Sequence, residues 1–245
     1  MKFILAPARK MKEYECGYSC TKPSFEKETS ILFENLREYS PWELESLLRT
    51  NETLAHQAFI DIREFETGKK GAPALFAYYG LVYKNLNAAG LSKQALKRSE
   101  VMLRIISAFY GLLKPFDLIM PYRLEMQSRI SINGENLYKF WGDKIYLELY
   151  KDENCVVNLA SEEYAKVVRN FLRPSDRYID IVFYSIVKGR NKIVTTDAKI
   201  ARGQMARYIL EKGVTEPEAL KKFKLGGYEY MQRLSPPDKY IFIMA

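Results

Sequence analysis

Apolar residues fall into two regimes along this chain: a spacing of three and four through the first half, and short continuous or alternating runs through the second. "TNETLAHQAFIDIREFE" (50–66) sets Leu54, Phe59, Ile62 and Phe65 at helical spacing, and "SKQALKRSEVMLRIISAFYG" (92–111) repeats the pattern. Both begin at residues able to cap a helix N-terminus. "SPWELESLL" (40–48) reads as a capping box, with Ser40 as N-cap, Pro41 at the first helical position and Glu43 reaching back to the Ser40 amide. In the second half "CVVNLA" (155–160), "YIDIVFYSIV" (178–187), "KIVTT" (192–196) and "KYIFIM" (239–244) read as strands, as does the opening "FILA". "VKGRNKI" between two of them reads as a hairpin turn. Helices are expected after Ser161 and over "TDAKIARGQMARYILEK", the latter closed by Gly213, and "TEPEAL" offers another capping box from Thr215 to Glu218.

No repeat, low-complexity tract or linker interrupts these elements, so residues 1–245 are read as one compact domain. The fold class is mixed α/β, of the α+β kind: a mixed sheet with surrounding helices.

The segment "SAFYGLLKPFDLIMPYRLEM" (107–126) combines aromatic bulk with a glycine and two prolines. It reads as part of a helix-hairpin-helix unit at about 96–120, in which the first helix ends near Ser107, Gly111 makes the turn and Pro115 opens the next helix. Outward-facing amides of such a turn hold phosphate, so Arg104, Tyr110, Gly111, Lys114 and Arg123 become candidate DNA-backbone contacts. The plainer alternative is an αα-corner whose Phe109, Tyr110 and Phe116 fill the core.

Composition narrows the chemistry. Hydrophobic residues at 47% and charged residues at 28% are those of a globular chain, and no apolar run approaches the ~20 residues of a membrane span. The apolar stretch at the N-terminus is too short for a signal peptide, so a cytoplasmic location is expected. Cys16, Cys20 and Cys155 read as reduced thiols, with a Cys16–Cys20 disulfide as the alternative. The single histidine, His56, falls on a helix face with no triad or ligand partner nearby, which argues against zinc enzymes and serine or cysteine hydrolases. No metal or cofactor is expected, and no obligate protein partner. A net charge of +8 favours an anionic partner, here double-stranded DNA held mainly through its phosphate backbone.

A second set of residues suggests a pocket: Tyr122, Arg123 and Glu125 in "PYRLEM", Trp141 and Asp143 in "FWGD", Asn158, Ser161, Glu163 and Tyr164 in "NLASEEY", and Arg202 in "IARGQMAR". Brought together, rings would hold a base while Glu125 and Asp143 act as general acid and base, giving a metal-independent, glycosylase-like nucleobase or nucleoside enzyme. Separately, each residue has a structural use: Ser161 as an N-cap, Asn158 in an Asx turn, Arg123 with Glu125 as an ion pair.

The blocks "ILAPARKM", "SAFYGLLKPFDLIMPYRLEM", "NLYKFWGDKI", "VVNLASEEYAKVV", "IARGQMARYI" and "GGYEYMQRLS" follow one another over almost the whole chain. In that order the sequence resembles the YaaA family of bacterial peroxide-stress proteins. The resemblance implies a cytoplasmic DNA-binding protein of the hydrogen peroxide response, with a helix-hairpin-helix unit, associated with limiting unincorporated iron. Two departures from the family pattern are Ala108 in place of a glycine and Arg9 in place of a lysine.

Overall fold

Two runs buried at every position, "KFIL" and "CVVN", form the centre of the sheet; they are apolar but for one residue each, and both of these are paired, Lys2 Nζ donating to the Leu149 carbonyl and Asn158 Nδ2 to Asp180. The computed structural model describes residues 1–14, 17–66 and 71–244; Cys16 and its disulfide alternative lie outside them. The strands are β1 (Lys2–Leu5), β2 (Ala72–Pro73), β3 (Leu103–Ser107), β4 (Gly111–Leu113), β5 (Leu118–Ile119), β6 (Cys155–Asn158), β7 (Arg177–Val187), β8 (Arg190–Lys192), β9 (Tyr228–Tyr230) and β10 (Lys239–Met244). The helices are α1 (Glu26–Arg37), α2 (Pro41–Leu47), α3 (Glu52–Glu66), α4 (Ala74–Ala77), α5 (Leu81–Leu86), α6 (Lys93–Met102), α7 (Leu137–Trp141), α8 (Lys144–Tyr150), α9 (Glu162–Arg169) and α10 (Thr195–Lys212).

The main sheet has the order β4-β3-β1-β6-β7-β10-β9, with β8 folded back on β7, while β2 and β5 form a small separate ladder. β3, β1, β6, β7 and β10 run parallel, and β4, β8 and β9 are antiparallel. α10 packs on α5, α6 and β7, and α8 packs on α9 and β4, so one continuous core joins sheet and helices. This is the mixed α/β domain that the patterning predicts.

Local signals hold well. Ser40 and Glu43 form the expected capping box, and Gly213 closes α10 at φ 63°, where a Cβ would be strained. Ser40→Ala is expected to cost about 1 kcal/mol, measured by chemical denaturation. Two boundaries differ. β8 ends at Lys192 and "TT" opens α10 instead of closing a strand, and "TEPEAL" becomes a 3₁₀ turn over Pro217–Lys222 without a side-chain cap.

The largest correction concerns 96–120. α6 stops at Met102, and the next five residues form β3, paired with β1 (Phe3↔Leu103, Leu5↔Ile105) and with β4 (Ser107↔Gly111). Leu103, Ile105 and Ile106 satisfy a helical spacing as well as a buried strand, and pairing with β1 decides between them. The bend is sealed. Ala108, Phe109 and Tyr110 are at most 3% exposed, and Ser107 Oγ accepts from the amides of Phe109 (3.1 Å) and Tyr110 (2.9 Å). Gly111 adopts φ +73° with the rings of Phe25 and Trp141 2.7–2.8 Å from where a Cβ would sit. After Pro115 a tight turn follows in place of a helix, the Lys114 amide donating to Asp117 Oδ2 at 2.7 Å. The phosphate site expected at this bend therefore lacks its free amides. Immediately upstream, α5 and α6 are consecutive helices joined by the six residues 87–92. There Arg207 of α10 donates to the carbonyls of Leu86, Asn87 and Gly90, and Glu211 accepts from Ser92.

Candidate functional site

β1 and β6 are parallel neighbours, and the chain leaves β1 towards β3 on one side and returns through β6 on the other. Such a point of reversal leaves a crevice outside the carboxyl ends of the strands. A cleft of about 540 Å³ opens there, between the loop Ala6–Lys10 after β1 and the turn Leu159–Ser161 after β6. Asn158 fixes that turn: its Oδ1 accepts from the Ala160 amide (2.8 Å) while its Nδ2 donates to Asp180 (2.7 Å). The Asx turn read from the sequence is present, and the side chain is occupied by it.

One wall comes from α10, where Thr195, Lys199 and Arg202 recur at helical spacing on one face. The adjoining wall is Gly80–Tyr83 at the start of α5. The two helices approach closely because Gly203 has no side chain; a Cβ there would lie 2.2 Å from the Val82 carbonyl oxygen. The floor is Tyr122, whose hydroxyl lies 2.8 Å from both Tyr78 Oη and Ser107 Oγ. Burial pushes the Tyr122 phenol up to about 12, so it remains a neutral hydroxyl at pH 7. Tyr83 donates to the Ala6 carbonyl at 2.9 Å and ties the β1 loop to α5.

The electrostatics are unbalanced. Arg9, Lys10, Arg123, Lys199 and Arg202 line the cleft against two carboxylates, Glu125 and Glu163. Arg9 grips Glu125 from both sides of its fork, Nε to Oε1 and Nη2 to Oε2 at 2.9 Å each, and Arg123 stands 3.7 Å from the same carboxylate. Glu163 accepts from the Gln127 amide at 3.2 Å, and burial pushes its carboxyl above the usual range. Arg202 has no carboxylate within ion-pair distance among the described residues. Its Nε and that of Arg123 are shut from water without a hydrogen-bond partner, and burial draws the Arg202 pKa down, although a guanidinium stays charged at neutral pH.

Seven residues proposed from the sequence meet in this cleft: Tyr122, Arg123, Glu125, Ser161, Glu163, Tyr164 and Arg202. The others do not. Trp141 is fully buried and donates to the Ala108 carbonyl, Asp143 is exposed at the start of α8, and Asn158 lies beneath the turn. Arg104 is spent on the carbonyls of Glu100 and Leu103, Tyr110 on the backbone of Met120, Gly111 is in the core, and Lys114 is exposed away from the cleft lining. Sequence reasoning did not place Arg9, Lys10, Tyr79, Tyr83 or Lys199 here. The signal for Arg9 and Lys10 was a buried strand passing directly into "APARK", since loops at strand carboxyl ends carry ligands.

A family profile described as "Peroxide stress protein YaaA" matches residues 1–234. This chain belongs to the YaaA family. Relatives of the same length are UPF0246 proteins of Ligilactobacillus salivarius, 38% identical, and Clostridioides difficile, 36% identical, each match covering 99% of both chains. A UPF0246 protein of Pediococcus pentosaceus is 38% identical over 99% of this chain and 98% of its own. In this YaaA-family protein no helix among the described residues is long and apolar enough to cross a membrane. No three His, Cys, Asp or Glu side chains among those residues are grouped to hold a metal ion.

Proposed function

We propose that the protein protects DNA during peroxide stress, in the cytoplasm, by holding the phosphate backbone of double-stranded DNA in the cationic cleft. The observation that carries this reading is Arg202, a half-buried cation whose Nε is shut from water without a partner and which has no acid within ion-pair distance among the described residues. A buried donor left without an acceptor costs about 1–3 kcal/mol, and a phosphate oxygen supplies the missing partner through charge-assisted bonds worth about 1.5–3 kcal/mol each. Arg123 offers a second unsatisfied Nε in the same cleft. The net charge of +8 draws a polyanion towards it. Backbone contacts carry no base information, so binding is independent of sequence.

Loosely bound iron turns peroxide into radicals that attack DNA. With no carboxylate or thiol cage among the described residues, the limitation of unincorporated iron is proposed as an indirect effect of this activity. The test is a titration of duplex DNA at several salt concentrations. Log affinity is expected to fall linearly with log salt, by about 0.9 for each phosphate neutralised. Absence of binding at low salt would reject the proposal.

A second reading draws on Glu125 and Glu163 sharing the cleft with Tyr122 and Tyr164: metal-independent processing of a base or nucleoside, with the raised Glu163 carboxyl as general acid. It requires that Glu163→Gln abolish turnover while DNA affinity is retained, and that Asp143→Asn leave turnover intact.

A further inference from the structure

Among the described residues the hairpin of β7 and β8 extends past the rest of the sheet: β10 pairs with β7 as far as Ser185, and beyond it Ile186 and Val187 pair with Asn191 and Arg190. Its turn has two residues, Lys188 and Gly189, both at positive φ (52° and 72°), the arrangement of a type I′ hairpin. Asn, Asp or Gly is favoured at the first of these positions. A lysine is held there against its backbone preference, which places a cation at the tip.

The hairpin is amphipathic in an unusual sense. Register puts Arg190 opposite Val187 and Lys192 opposite Ser185, so the two cations share one face. Ile186 lies on the other face and Ile193 follows directly after β8; each is 55% exposed. From Ile181 to Thr196 there is no acidic residue. Lys188, Arg190 and Lys192 form no ion pair among the described residues. An exposed edge strand is often blunted by lysine against edge-to-edge pairing. That role is served by charge of either sign along the edge; it does not call for a strained lysine at the tip or for three cations without one acid.

Position supplies the rest. β7 runs parallel to β1 and β6, so the hairpin leaves the sheet at the carboxyl edge where the cleft opens. Thr195, three residues after Lys192, already lines the cleft, and α10 continues the path through Lys199 to Arg202. We infer that the β7–β8 hairpin is an arm for duplex DNA, its cations on the phosphates and Ile186 and Ile193 against the sugar walls of a groove that admits a two-stranded ribbon. The inference rests on the cleft reading and adds to it a second contact element.

The test uses the full chain and the triple variant Lys188→Gln, Arg190→Gln, Lys192→Gln, with duplex affinity measured across salt by fluorescence anisotropy and size by gel filtration. The arm predicts that the variant stays folded and of unchanged size, loses about tenfold or more in affinity, and has a log–log salt slope shallower by about two to three. Lys188→Asn separates turn from charge: it should raise Tm by about 1–2 °C, because asparagine suits the turn, while weakening DNA binding. If the wild type binds DNA and the triple variant keeps its slope and affinity, the arm is overturned and the cleft reading survives. A variant that changes only oligomeric state makes the hairpin a self-association edge and also overturns it. If the wild type binds no DNA, the cleft reading falls and takes the arm with it.

Discussion

Replacing Arg202 with methionine raises the thermal stability of the protein and lowers its affinity for duplex DNA at least about tenfold. Both halves follow from one geometry. Arg202 lines the cleft from α10, and methionine there keeps an unbranched apolar stem without the charge. The Arg202 Nε is shut from water without a partner and no acid stands within ion-pair distance among the described residues, so its removal relieves an unsatisfied donor, a gain of about 1 kcal/mol and ~2–4 °C in Tm for a chain of this size. The same substitution deletes a charge-assisted contact to phosphate. Opposite movement of stability and binding marks a side chain kept for a ligand. Calorimetry with anisotropy decides the matter: if stability and affinity fall together, Arg202 is a structural residue and the cleft loses its principal cation.

Gly203→Ala should be among the most destabilising single substitutions in the protein, at about 3 kcal/mol or more and a Tm loss of ~6–12 °C. Alanine is the better helix former by about 1 kcal/mol, so propensity alone predicts the reverse. Packing outweighs it. The added methyl would sit 2.2 Å from the Val82 carbonyl oxygen and 2.8 Å from Asn85 Cβ, and the first of these is backbone that no rotamer change can move. α5 must separate from α10, which also displaces the Gly80–Tyr83 wall from Lys199 and Arg202. DNA affinity is therefore expected to fall even in the fraction that stays folded. An unchanged or raised Tm would mean that the α5–α10 contact is looser than described.

Arg202 is legible in the sequence as a pocket residue, whereas the close contact at Gly203 is not. Ser40, Gly213 and Asn158 were legible because their partners lie within five residues: a cap, a helix end and an Asx turn are written in one short window. β6, β7 and β10 were legible as apolar or alternating runs. β3 was not, since the spacing of Leu103, Ile105 and Ile106 suits both a helix and a strand, and the decision rests on Phe3 and Leu5 about a hundred residues away. The cleft was half legible for the same reason. Tyr122, Arg123 and Glu125 stood out as a compact block, whereas Arg9 meets Glu125 across 116 positions, and Lys199 looks like any lysine on a helix until α10 is laid beside the β1 loop. Trp141 and Asp143, whose side chains suit a base pocket, are a core residue and a surface residue because α7 turns the indole towards Ala108 and leaves the carboxylate outside.

The cleft and the sealed bend make opposite demands on three exposed lysines, and amine-reactive labelling read by mass spectrometry separates them. With saturating duplex DNA, Lys10 and Lys199 at the cleft should lose most of their labelling, while Lys114 beside the bend reacts as it does in free protein. Protection of Lys114 with Lys10 and Lys199 unaffected would contradict the cleft as the seat of DNA binding.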